Sequence, residues 1–217
     1  MVSVGAGMLG DVFDPMDNPM RSLAAACVVL GLTVAAQAQS PTTRIRGEVE
    51  KVEADTLTIK TVDSASAKVA LAPGYAVGGV VKASVADIKK GGFIGVGARP
   101  QADGSLLAVQ VFIFPEAMRG TGEGHRPWSV LPESTMTNAT VAETVTRVDG
   151  ANIVLSYPGG EQKVTITADA NIIMAAPAQV SDLAAGAQVA LTANRQPDGS
   201  LVTSRITIAK AGAQLPL

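Results

Sequence analysis

The sequence predicts an all-β protein: two tandem five-stranded OB-like small β-barrels, each with a short helical turn between its third and fourth strands. Three observations carry that expectation. First, 47% of the 217 residues are hydrophobic but only 3% are aromatic, so the apolar content is Val, Ala, Ile and Leu, with Thr also common. That mix favours strands and small cores. Second, "DIKKGGFIGVGARPQADGSLLAVQVFI" (87–113) aligns without gaps, 95 residues on, to "DLAAGAQVALTANRQPDGSLVTSRITI" (182–208), with nine of 27 positions identical. Upstream, "GEVEKVEADTLTIK" (47–60) pairs with "ETVTRVDGANIVLS" (143–156) at an offset of 96. Such self-similarity marks a tandem duplication. Third, apolar residues alternate, as at Leu57/Ile59 and Val164/Ile166, which is the period of a strand with one buried face.

The elements follow in order. The first copy (43–114) reads as strands near 45–52, 56–62, 67–71, 92–99 and 106–113; the second (137–210) as strands near 140–148, 152–157, 162–167, 187–194 and 201–208. "DG" at Asp103-Gly104 and Asp198-Gly199 lies between the last two strands of each copy. That is a hairpin signal, because glycine takes a positive φ without steric cost. "VADIKKGG" and "VSDLAAGA" fill the gap before strand four, where Asp87 and Asp182 read as N-caps and Gly91 and Gly186 as the stops of a helical turn. The duplicated Asp103 and Asp198 read as turn residues; a calcium site gathers at least five oxygen ligands, and one acid per loop does not supply them.

The pattern shared by both copies, an "LTI"-type strand, then D(I/L)xxG, then DGSL and a closing apolar strand, resembles a family of small bacterial envelope domains with no assigned function. The resemblance covers 45–113 and 140–208 and implies exported, duplicated OB-like barrels. The "MRGTGEGHRPW" segment (118–128) resembles a subset of the same proteins, some labelled "metal ABC transporter permease". This chain does not fit that label, since a permease needs several apolar spans.

Residues 1–38 read as a leader and signal peptide. From Met20, "MRSLAAACVVLGLTVAAQAQS" gives one Arg, an apolar run and the small-residue site "AQA" at Ala36–Ala38, the three regions of a secretory signal. Met20 then reads as the true start and Gln39 as the mature N-terminus, in the periplasm or outside the cell. The alternative is an uncleaved anchor, although the run is shorter than the ~20 residues of a membrane span. Cys27, the single cysteine, falls inside that segment, so cleavage leaves neither disulfide nor thiol chemistry. Without residues 1–38, which hold Arg21, Asp11, Asp14 and Asp17, 16 basic residues face 16 acidic ones. No basic run tracks phosphates, which argues against nucleic acid.

Between the copies lies a Gly/Pro-containing linker (115–136), and a tail (211–217) follows the second. The linker holds the only His and the only Trp. Arg119, Glu123, His125, Arg126 and Trp128 are the candidate ligand- or partner-binding residues, since Arg and Trp are enriched at interaction hot spots. Glu116, Glu123 and His125 are candidate ligands for a divalent metal, the one cofactor the sequence suggests, though their spacing is not diagnostic. The bland alternative has His125 and Arg126 bonding loop carbonyls. No nucleophile elbow, phosphate loop or paired-carboxylate motif appears, so the reading is non-catalytic. The chain reads as an envelope binding or assembly module with the linker as its interaction site, its partner an envelope protein or an anionic glycan. The alternative is a periplasmic metal- or small-ligand-binding accessory protein. Phe112 and Phe114, on the outward face of their strand, are expected to be covered by the linker with Trp128 or by the second copy, because leaving each exposed forgoes ~1.5–3 kcal/mol.

Overall fold

The computed structural model describes residues 41–147 and 150–217; the leader, signal segment and cleavage point inferred from sequence lie outside them. The strands are β1 (Thr42–Glu53), β2 (Thr56–Thr61), β3 (Ser66–Lys82), β4 (Phe93–Pro100), β5 (Leu106–Ile113), β6 (Gly124–Pro127), β7 (Thr135–Arg147), β8 (Gly150–Tyr157), β9 (Gly160–Thr167), β10 (Asn171–Ala176), β11 (Gln188–Arg195) and β12 (Leu201–Ala209). Three 3-10 turns, Val85–Asp87, Glu116–Met118 and Val180–Asp182, complete the list of elements. Among the described residues no helix is long and apolar enough to cross a membrane. The expected all-β class is what forms.

The strands close into five-membered circuits. One runs β12-β11-β1-β2-β3 and returns to β12; the other runs β5-β4-β7-β8-β9 and returns to β5. Each encloses its own core. Ile45, Leu57, Ile59, Val69, Val189 and Ile206 fill the first, and Val96, Val111, Val141, Ile153, Leu155 and Val164 the second.

The expectation of tandem barrels, each closed by its own repeat, differs from this arrangement. Every ring takes three strands from one repeat and the last hairpin from the other. The cause is β3. The run "VALAPGYAVGGVV" holds no charged residue, and the strand continues for 17 residues, bulging at 72–75 between Leu71 opposite Thr203 and Ala76 opposite Arg205. It thereby carries the chain out of the first ring before β4 begins. In the second repeat β9 and β10 do the same work, separated by a turn at 168–170. The two routes meet in the middle, where β3 and β10 pair antiparallel and Val80 faces Ala175, its own counterpart 95 residues on. A pseudo-two-fold axis passes through that pair. It also relates the parallel closures: Val202 beside Ala70 corresponds to Leu107 beside Thr165, and Arg205 beside Ala76 to Gln110 beside Asn171.

The first strands match at a different offset from the one the sequence suggests. Val49 bonds to the backbone of Gly186 and Ala187, and Val141 to that of Gly91 and Gly92, so these two valines are equivalent, 92 residues apart. Each precedes a bulge, at Val49/Lys51 and Val141/Glu143, and such bulges add the twist that a small closed sheet needs.

The turns behave alike in both copies. Gly104 and Gly199 have φ of 81° and 85°. Asp103 Oδ1 accepts from the Ser105 amide and hydroxyl at 2.9 and 2.6 Å, and Asp198 from those of Ser200 at 2.9 and 2.7 Å. Asp87 and Asp182 sit at the third position of their 3-10 turns instead of at the N-cap. Each carboxylate accepts the amide of the residue three before it, Ser84 or Gln179, at 2.8 Å. Gly91 and Gly186 are not the stops expected of them: the turns end at Ile88 and Leu183, and the glycines lie three residues further on with φ of 80° and 87°.

Two outcomes follow from these contacts. A protease site inserted at exposed Gly120–Glu123 and then cut leaves the two halves co-eluting on native gel filtration, whereas barrels closed each by its own repeat would separate. The serine hydroxyls and backbone amides hold Asp87, Asp103 and Asp198 below the usual 3.8, and Lys210 does the same for Asp182. Depressed carboxylates give stability that is full above their unfolded pKa and is lost as pH falls through the folded one. Thermal melts should therefore hold steady from about pH 7 to about pH 5 and decline below about pH 4, less steeply in the double variant Asp103→Asn, Asp198→Asn.

Candidate functional site

The linker is not a free loop; it folds onto the outer face of β4. Along β4, Ile94, Val96 and Ala98 point into the second core, so Phe93, Gly95 and Gly97 point outward. A Cβ at Gly97 would collide with the Trp128 indole, and one at Gly95 would stand 2.7 Å from Asn138 Oδ1 and 3.1 Å from the Phe114 ring. The glycines are thus the space into which the linker packs. Trp128 is 8% exposed. Its amide bonds to the Ser134 carbonyl at 2.9 Å, and the Ser134 hydroxyl donates to Leu131 O at 2.6 Å, which closes the loop 128–134. Phe114 packs against Phe93 at 5.3 Å and against Phe112 at 4.7 Å between ring centroids. Both Phe112 and Phe114 are half-buried, sharing a cavity wall with Met118 and Trp128 of the linker.

The other candidate residues divide into two groups. Arg119 is committed to the fold. It grips Glu116 through two hydrogen bonds, at 2.5 and 2.7 Å, and donates to the Gly91 carbonyl at 2.9 Å. Its guanidinium also lies 6.0 Å from the centroid of the Phe93 ring. Beside it the Glu116 carboxyl is held below the usual carboxylate range. Glu123, His125 and Arg126 are exposed. The strand β6 lays His125 beside Thr137, where Nδ1 meets the Thr137 hydroxyl at 2.8 Å and the ring stacks 6.3 Å from Tyr157. Arg126 donates to the Gly122 carbonyl at 2.7 Å. The structure does not bring Glu116, Glu123 and His125 together: among the described residues no three of His, Cys, Asp and Glu gather as metal ligands do.

Two cavities flank Phe112 and Met118. One, of about 390 Å³, has Phe114, Trp128 and Asn138 in its wall with Arg44 and Arg126 at its rim. The other, of about 430 Å³, lies on the pseudo-two-fold axis over Gly78, Val80 and Ala175, closed by Pro115 and Thr207. Sequence reasoning missed Arg44 and Met118. Nothing local marks Arg44, since it reaches the linker only because β1 and β7 sit in rings that touch. The alternating glycines of "FIGVGARP" are the signal that could have shown where the linker lands.

No family model matches the chain, and no curated protein or solved structure matches it either.

Removing the indole empties the outer face of β4. Trp128→Ala is expected to lower stability by about 3 kcal/mol in urea unfolding, and Gly97→Val should melt lower than wild type through the collision described.

Proposed function

We propose that the protein is an exported, non-catalytic binding or assembly module of the cell envelope, and that its ligand seats where the linker meets the central strands. The observation that carries this reading is the cavity of about 390 Å³ in which the half-exposed aromatics Phe112 and Phe114 stand beside the guanidinium groups of Arg44 and Arg126. An apolar wall with a few convergent polar groups is the usual make-up of a ligand site. Arg beside aromatic surface is also the composition of interface hot spots. The fitting partner is an envelope protein segment that presents an apolar side chain next to a carboxylate. The export signal at 20–38 and the resemblance to envelope domains support the compartment. Each ring, with five strands and a 3-10 turn before its fourth-strand equivalent, is read as an OB-like barrel completed by the other repeat. Of the two linker arginines, Arg126 is the one whose charge stays available, because Arg119 is paired with Glu116.

Tagged wild-type protein and Arg126→Glu, both showing the same β-rich circular dichroism, would be used to recover partners from an envelope fraction. Recovery of a partner by the wild type that falls at least tenfold in the variant is the expected result. Equal recovery by both moves the site away from the linker cavity.

A further inference from the structure

The pseudo-two-fold axis makes every surface of one ring comparable with a surface of the other. On the outside of the second ring, Met136 and Asn138 of β7 pair with Gly97 and Gly95 of β4, and Gln110 and Phe112 follow on β5. Trp128 and Phe114 fill this trough. The same positions on the first ring are Arg44 and Arg46 of β1, paired with Thr192 and Ala190 of β11, then Arg205 and Thr207 on β12. The inward positions stay Val, Ile, Leu or Ala in both rings. The duplication has therefore diverged on the outside, where three arginines replace Met, Asn and Gln. No demand of the core accounts for that change.

The three arginines wall a single open cavity of about 250 Å³, floored by the small side chains Ala190 and Thr192. No Asp or Glu side chain lines it, and the one carboxylate in its wall is that of Leu217, which Arg44 meets. The ion pairs among the described residues involve none of the three. The next outward residue on β1, Glu48, takes its contact from the Gln188 amide at 3.2 Å. Arg44 and Arg46 each direct one N–H to the 211–217 segment, to Leu217 O at 2.9 Å and Leu215 O at 3.2 Å. A guanidinium has five N–H donors, so most of their capacity is unused. Arg46 Nε is buried with no partner. The Arg205 guanidinium makes no hydrogen bond among the described residues.

Three guanidinium charges exceed the single Leu217 carboxylate beside Arg44, the excess like charge is repulsive, and a buried, unpaired donor is destabilising. An anion with several acceptor oxygens relieves both, and the guanidinium fork matches carboxylate and phosphate geometry. We propose that this trough is an oxyanion-binding site in which Arg44, Arg46 and Arg205 together receive a phosphate or carboxylate group. The site shares Arg44 with the linker cavity but is read through Arg205, and it depends neither on export nor on Arg126. Its walls are β1, β11 and β12, and Arg205 is the member that the fold leaves free.

The test is calorimetric titration of the full-length protein with inorganic phosphate and, separately, with citrate, at ionic strength matched by sodium chloride. The variant is Arg205→Gln, which installs the residue found at the equivalent position 110 and removes no contact of the fold. Saturable one-to-one binding of either oxyanion, weakened at least tenfold by Arg205→Gln at an unchanged melting temperature, is the expected result. Preference for phosphate over citrate, or the reverse, identifies the group carried by the natural ligand. Equal binding by wild type and variant, or heats no larger than those of chloride, overturns the proposal and leaves Arg44 and Arg46 as anchors of the 211–217 segment alone.

Discussion

Everything in this fold depends on two parallel strand pairings, β12 against β3 and β5 against β9 with β10. Without them both circuits open, and the Val, Ile and Leu side chains inside each lose their fifth wall. Parallel closure also explains the length of β3. A strand that must pair with β1's neighbour at one end and with β10 at the other has to cross from ring to ring. The bulges after Val49 and Val141 supply the twist that lets short strands close at all. Segments the length of one repeat lie near the lower size for a core that folds alone, and the exchange of hairpins makes each core depend on both halves of the chain.

The two rings differ on their outside surfaces in what packs there. One trough is plugged by the chain itself, through Gly95, Gly97, Phe114 and Trp128. Its counterpart keeps a charged rim and only the 211–217 segment across it. The linker is accordingly a structural element first: Arg119, Glu116, Trp128 and Ser134 tie it down, and Arg126 is held at the cavity rim as a result. A segment that looks flexible from its glycines is ordered by what it covers.

How much of this was legible from sequence depends on which residues are considered. The turns were readable, because Asp103-Gly104 and Asp198-Gly199 act locally and need nothing distant. Which ring each hairpin joins was not: Val96, Val111, Val189 and Ile206 satisfy either core equally well, so the alternation is blind to the exchange. Asp87 and Asp182 were placed correctly in their turns but given the wrong role, since an Asp at the N-cap and an Asp three positions later both leave a carboxylate next to a free amide. The candidate metal set was assembled from proximity in sequence, and the fold hands Glu116 to Arg119 instead. Arg46 and Arg205 were invisible as a pair, being brought together only by β11.

The exchange of hairpins has a temporal side. As the chain is extended from its N-terminus, β1, β2 and β3 are complete by residue 82, yet the ring they begin cannot close until β12 is made at 201–209. For most of that interval β3 presents one bare edge and an apolar face. Contacts so distant in sequence form slowly, and an unpaired edge invites pairing with other chains. A protein built this way is exposed to misassembly for nearly the whole of its synthesis, and is secure only when its last strand arrives.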